Sequence, residues 1–305
     1  MDSQQRGLNR AEAGAWFAQA VGAVGELLVP RCCPCCAVPV GYASPSALCP
    51  ACLNRVRSAC SRVGEIGLTG LDVQIFYASR YEDVMPRAIL ALKNAGRTDI
   101  LPLLGSALAH SAYDLLRSKR WLFTGEGAAS ASNVKGGLSV RGGPNTLDDI
   151  LLIPAPSSPE SVRRRGYAPA QILAAEAARQ LAGRLPNGLR VVPLDIVGYA
   201  PSPWISSPRG GAGAVMDAGR NLAAKVSGSS SREQKGLNAV GRSERMHHAL
   251  RVLEPALCAG HWCVVCDDVV TTGATIREMV RVLREAGATV VGACTVSSVP
   301  KKVDH

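Results

Sequence analysis

An α/β fold, a parallel sheet flanked by helices, is predicted by three observations. From Asp149 onward, apolar strands alternate with helical periods: a strand at 150–155 (ILLIPA), a helix over about 168–185, and a short strand at 190–194 (RVVPL). A strand at 262–268 (WCVVCDD), a helix over 275–286 and a strand at 289–296 (TVVGACTV) complete the series. Such alternation requires crossovers, which place helices on both faces of a parallel sheet. Upstream, 72–78 alternates like a strand, and 81–116 shows helical periods such as Ile89, Leu92 and Leu101, Leu104, Leu108. Finally, cysteines crowd between Cys32 and Cys52, predicting a small N-terminal four-cysteine zinc knuckle ahead of the sheet.

Composition bounds the function. The 305 residues are 47% hydrophobic and 19% charged, which excludes disordered, collagen-like and coiled-coil classes. A net charge of +10 favours phosphate-bearing partners without choosing between small molecules and nucleic acid. No apolar run approaches the roughly 18 residues needed to cross a bilayer, so membrane insertion is not expected. The stretch Ala11 to Val29 reads as an Ala-rich amphipathic helix rather than a signal peptide, because Glu12 and Glu26 flank a short apolar part. Clustered cysteines suggest metal ligation in a reducing cytoplasm more than disulfides. The expected organisation is residues 1–62 as helix and knuckle and 70–305 as the α/β domain. Segments rich in Gly and Ser near 124–147 and 198–236 read as flexible insertions.

The strongest chemical signal runs from Cys263 to Thr275. An apolar strand ends in Asp267 and Asp268, and the loop Thr271, Thr272, Gly273, Ala274, Thr275 opens a helix. Backbone N–H groups at a helix start, with the helix dipole, favour an anionic phosphate, and Gly273 permits close approach. Paired carboxylates suit the vicinal hydroxyls of a ribose, directly or through magnesium. Both acids are expected at a solvent-facing strand end. The combination describes a cradle for a ribose 5-phosphate.

This string resembles the phosphoribosyl pyrophosphate (PRPP) signature of type I phosphoribosyltransferases. Together with 81–99 (YEDVMPRAILALKNAGRTD), 153–174 (IPAPSSPESVRRRGYAPAQILA), 241–250 (GRSERMHHAL) and 260–300, the chain resembles the ComF family. The resemblance implies that Arg163, Arg164 and Arg165 contact pyrophosphate or substrate, with Ala168 and Pro169 replacing the usual Asn-Gln. Lys93 and Arg97 match the family's L-K-x-x-G-R segment and are candidate site residues. Arg242 and Arg245 match a mobile loop in which His248 replaces the usual Asn. Thr271 stands where some purine phosphoribosyltransferases have an acid, which argues against purine salvage.

Two C-x-x-C hooks suit tetrahedral zinc held by four thiolates, a closed and therefore structural site. The first hook has two registers, Cys32/Cys35 and Cys33/Cys36. The family's R-C-x-x-C falls on Arg31-Cys32 and puts Cys36 at a frequent Gly position, favouring Cys32, Cys35, Cys49 and Cys52. Cys263 and Cys266 are expected in the core, because residues three apart on a strand face opposite sides.

Two functions follow from the resemblance. One is a magnesium-dependent transferase that moves the phosphoribosyl group to an unidentified acceptor. The other is a PRPP-responsive accessory of natural transformation, partnered by single-stranded DNA and competence proteins. For the latter, Arg55, Arg57 and Arg62 supply basic groups near the knuckle, while aromatics, at 4% of residues, offer few stacking platforms.

Overall fold

The computed structural model describes residues 31–41, 47–119, 149–185, 189–200 and 249–300. The expected helix over 11–28, the 124–147 insertion, most of the 198–236 stretch and Arg242, Arg245 and His248 lie outside them.

A six-stranded sheet forms the centre, with strands in chain order named β1 (Gly64–Ile66), β2 (Ile75–Arg80), β3 (Asp149–Pro154), β4 (Arg190–Pro193), β7 (Trp262–Val270) and β8 (Thr289–Ser298). Their spatial order is β1-β2-β8-β7-β3-β4, parallel throughout except for β1 at one edge. Strands β5 (Val197–Tyr199) and β6 (Leu250–Val252) pair separately as an antiparallel hairpin. Beyond them, Ala200 N–H donates to the Ala249 carbonyl at 2.8 Å.

Six α-helices belong to the described residues: α1 (Pro50–Ala59), α2 (Met85–Ala95), α3 (Leu101–Ser118), α4 (Pro159–Arg165), α5 (Pro169–Leu181) and α6 (Ala274–Glu285). Five of them, all but α6, have Pro in the first turn, where its missing N–H leaves no broken bond. The arginine run Arg163 to Arg165 forms the last turn of α4, closed by Gly166 at φ 83°. Strand β7 runs two residues beyond the acidic pair, through Val269 and Val270.

Period-two alternation along β7 divides the core. Val264 and Cys266 join the cluster that includes Leu104, Leu108, Leu173 and Ala177 of α3 and α5. Cys263 and Val265 join the opposite cluster with Ile276, Met279, Val280 and Leu283 of α6. The two cysteines therefore face opposite sides, as the strand period requires. The α6 positions recur at helical spacing, and each large apolar side chain buried this way contributes about 1.5–3 kcal/mol.

Topology also fixes where a site can form. From β3 the chain passes through α5 to β4 on one side, whereas from β7 it passes through α6 to β8 on the other. The β3/β7 boundary is thus the switch point of the sheet, where a crevice opens beyond the carboxyl ends of the strands.

Candidate functional site

At that crevice β7 presents its two acids. Asp268 is buried at 5% exposure, contrary to the expectation that both carboxylates face solvent. The reason is a partner on α2: Lys93 Nζ lies 2.7 Å from Asp268 Oδ2. Burial works against the lysine charge, but the Asp268 carboxylate and, beyond it, Asp267 more than offset this and hold the ammonium above the ordinary lysine value. Asp267 accepts the Asp268 backbone N–H at Oδ1, 2.8 Å away. Burial first, and the neighbouring Asp268 charge second, push the Asp267 carboxyl well above the usual carboxylate range. Tyr199 on β5 feels the same group: burial and then the Asp267 charge raise its phenol. Sequence reasoning missed Tyr199, because only the fold brings β5 near enough for the Asp267 charge to act on it.

The loop after β7 turns sharply. Gly273 adopts φ 73° and caps α6, and a Cβ there would lie 1.9 Å from Leu68 Cδ1 in the β1–β2 connection, so both conformation and space demand glycine. Arg277 braces the turn, its Nη1 donating to the Thr272 carbonyl and its Nη2 to the Thr69 carbonyl, both at 3.1 Å. Thr271 and Thr272 are exposed, and Ala274 and Thr275 half-buried, at the opening of a helix whose first N–H groups have no helical acceptor.

From the β3 side, Arg163 and Arg164 are exposed, whereas Arg165 is half-buried. Its Nε is buried without a hydrogen-bond partner among the described residues, and its charge opposes that of Lys93. Tyr167, just beyond α4, donates its hydroxyl to the Leu92 carbonyl, tying this segment to α2. Of the candidate cations, Lys93 therefore meets the acids, and Arg165 lies near enough for its charge to act on Lys93. Arg97 does not: its Nη1 donates to the Cys32 carbonyl at 2.8 Å and its Nη2 pairs with Asp99 at 2.9 Å.

The cysteine hook is corrected by one residue. Cys33, Cys36, Cys49 and Cys52 bring their sulfurs within 4.8 Å of one another, and Cys32 and Cys35 stay outside. Cys32 bridges Pro39 across the turn, and Ala37 takes a left-handed φ of 62° there. Burial raises the Cys33 thiol, but backbone hydrogen bonds from Cys49, Cys35 and Cys36 prevail and bring it to about 6. Cys35 is pushed up to about 11 by burial and by Cys33, and its Sγ donates to the Val84 carbonyl at 3.7 Å. Four soft thiols at this separation fit a structural zinc ion, with no ligand position left open.

Residues 161–305 match the family model described as phosphoribosyl transferase domain. That stretch resembles a phosphoribosyl transferase domain. Among curated proteins, none matches the chain. The match begins within α4, so the matched stretch contains the acidic pair, the Thr271 to Thr275 loop and Arg163 to Arg165, while Lys93 reaches it from upstream. Among the described residues, no helix is long and apolar enough to cross a membrane.

Proposed function

We propose that the crevice binds PRPP and transfers its phosphoribosyl group to a nucleophilic acceptor, in keeping with the ComF resemblance. The observation that supports this most is the pairing of two different sites at one strand end. Asp267 and Asp268 suit the ribose hydroxyls, and the α6 opening suits the 5-phosphate.

Asp267 and Asp268 are also the hard oxygen donors that magnesium requires, and magnesium when bound supplies charge neutralisation to the diphosphate. The chain does the rest. Lys93 pairs with Asp268 and holds its carboxylate in place. The partnerless Arg165 Nε stands on the β3 side of the crevice, where pyrophosphate charge would develop. In the reaction the bond between ribose C1 and the pyrophosphate oxygen breaks with its electron pair leaving on pyrophosphate. The acceptor's lone pair forms the new bond to C1, and its proton passes to solvent or to pyrophosphate.

Pyrophosphate release from PRPP and magnesium, screened over ammonia, glutamine, nucleobases and single-stranded DNA, tests the reading. Release with one acceptor supports it, and calorimetry showing no PRPP binding by the folded protein overturns it.

A second reading, binding of single-stranded nucleic acid, is favoured by one observation. Arg55, Arg62 and Arg80 line a cleft of about 540 Å³ beside Tyr77, with Arg55 paired to Asp83. Oligonucleotide affinity that falls steeply with salt would support it.

A further inference from the structure

The two cysteines left out of the thiol cluster have another connection. Cys35 and Cys32 flank the cluster ligand Cys33, and each holds one end of α2. At the start of that helix, Arg87 Nη1 donates to the Cys35 carbonyl at 2.7 Å and Cys35 Sγ donates to the Val84 carbonyl. At its end, Arg97 Nη1 donates to the Cys32 carbonyl at 2.8 Å, while Arg97 N–H closes the helix on the Ala91 carbonyl at 3.1 Å. Asp99 gathers Arg97 and Arg31 around the same corner. Between these latches α2 bears Lys93, the partner of Asp268, and Leu92, whose carbonyl receives Tyr167. The same side of α2 is cemented by packing, since Cys33, Cys35, Cys49, Cys52, Val84, Met85, Ile89 and Leu92 belong to one buried cluster.

We propose that Arg87 and Arg97 are positioning residues that couple the thiol knuckle to the acidic pair: with a metal ion held by Cys33, Cys36, Cys49 and Cys52, the Cys32 and Cys35 carbonyls are fixed, α2 is fixed on them, and Lys93 is set against Asp268. Without the ion, the loop from Arg31 to Val40 loses the bonds that fold it around its ligands, and both latches loosen together. The coupling rests on the PRPP reading above. Because coupling free energy is reciprocal, a metal ion that tightens magnesium-PRPP binding must itself be tightened by PRPP to the same factor.

The test uses the full chain and the probes zinc and magnesium-PRPP. Calorimetry of the zinc-loaded parent comes first: if it binds no PRPP, the PRPP reading fails, and the coupling fails with it. If it binds, the Arg87→Ala/Arg97→Ala variant is measured, with metal analysis to verify its zinc and circular dichroism its fold. On the order of a tenfold weaker PRPP affinity, with zinc retained, is expected. Chelator competition should show zinc released more readily by the parent without PRPP than with it, by the factor that zinc removal weakens PRPP, and the variant should lose this linkage. Arg87→Lys/Arg97→Lys, which retains the donors, should recover part of it. If the zinc-stripped parent unfolds, the zinc-retaining variant alone decides. A folded, zinc-retaining double-alanine variant that binds PRPP as tightly as the parent overturns the coupling while leaving the PRPP reading standing.

Discussion

Lys93 Nζ and Asp268 Oδ2 stand 2.7 Å apart, joining α2 to β7 across the crevice, with the carboxylate 7% exposed and the lysine 39%. Lys93→Met would leave a buried carboxylate without its cation. Solvent access to the lysine end moderates the loss to about 1–3 kcal/mol at neutral pH, measured by chemical denaturation. Unchanged stability in Lys93→Met would show that the ion pair contributes nothing net to the fold.

Asp267 should make stability depend on pH. Its folded-state carboxyl is raised above the unfolded value by burial and by Asp268, so ionising it works against the fold. The parent should lose stability as pH rises from about 3.9 upward, whereas Asp267→Asn, which can still accept the Asp268 N–H, should not. Thermal scans across pH should therefore show the variant more stable at neutral pH and the two proteins converging below about pH 4. The same variant should bind magnesium-PRPP about ten- to a hundredfold more weakly by calorimetry, because a charge-assisted bond is lost.

Gly273→Ala should impair the loop on two grounds, the positive φ and the approach to Leu68. The left-handed conformation alone costs about 1–2 kcal/mol. Pairing it with Leu68→Ala opens the space but leaves the dihedral strain, so PRPP affinity should be restored only in part. Full restoration would assign the whole effect to the clash.

Metal analysis separates the cysteine registers. Cys33→Ser and Cys36→Ser should each lose zinc, and Cys32→Ser should retain about one ion per chain, as four clustered thiols predict. Zinc lost from Cys32→Ser but kept in Cys36→Ser would restore the sequence register.

The sheet and the acid-loop string were legible because both are local. Apolar strands of β3, β7 and β8 alternate with helices, and the acids and Gly273 follow one another without interruption. What was not legible depended on partners distant in sequence. Asp268 is buried because Lys93, on a helix far upstream, neutralises it, and a strand read alone gives no sign of that. Arg97 matched a site motif equally well but was drawn to the Cys32 carbonyl. The first hook offers two overlapping C-x-x-C strings of equal spacing, so only the folded positions of the sulfurs separate Cys33/Cys36 from Cys32/Cys35. Tyr199 stood out in no motif and gained meaning only where β5 brings it close enough to sense Asp267.

The bond from Ala200 to Ala249 closes a neck: whatever length of chain runs between them leaves and re-enters the domain at adjacent points. A single residue inserted within β7 between Cys263 and Cys266, by contrast, would send Cys266 to the side of Cys263. One backbone bond fixes where the chain leaves and returns at the neck, whereas at β7 every residue's place in the register decides which half of the core it enters, a few residues from the acids.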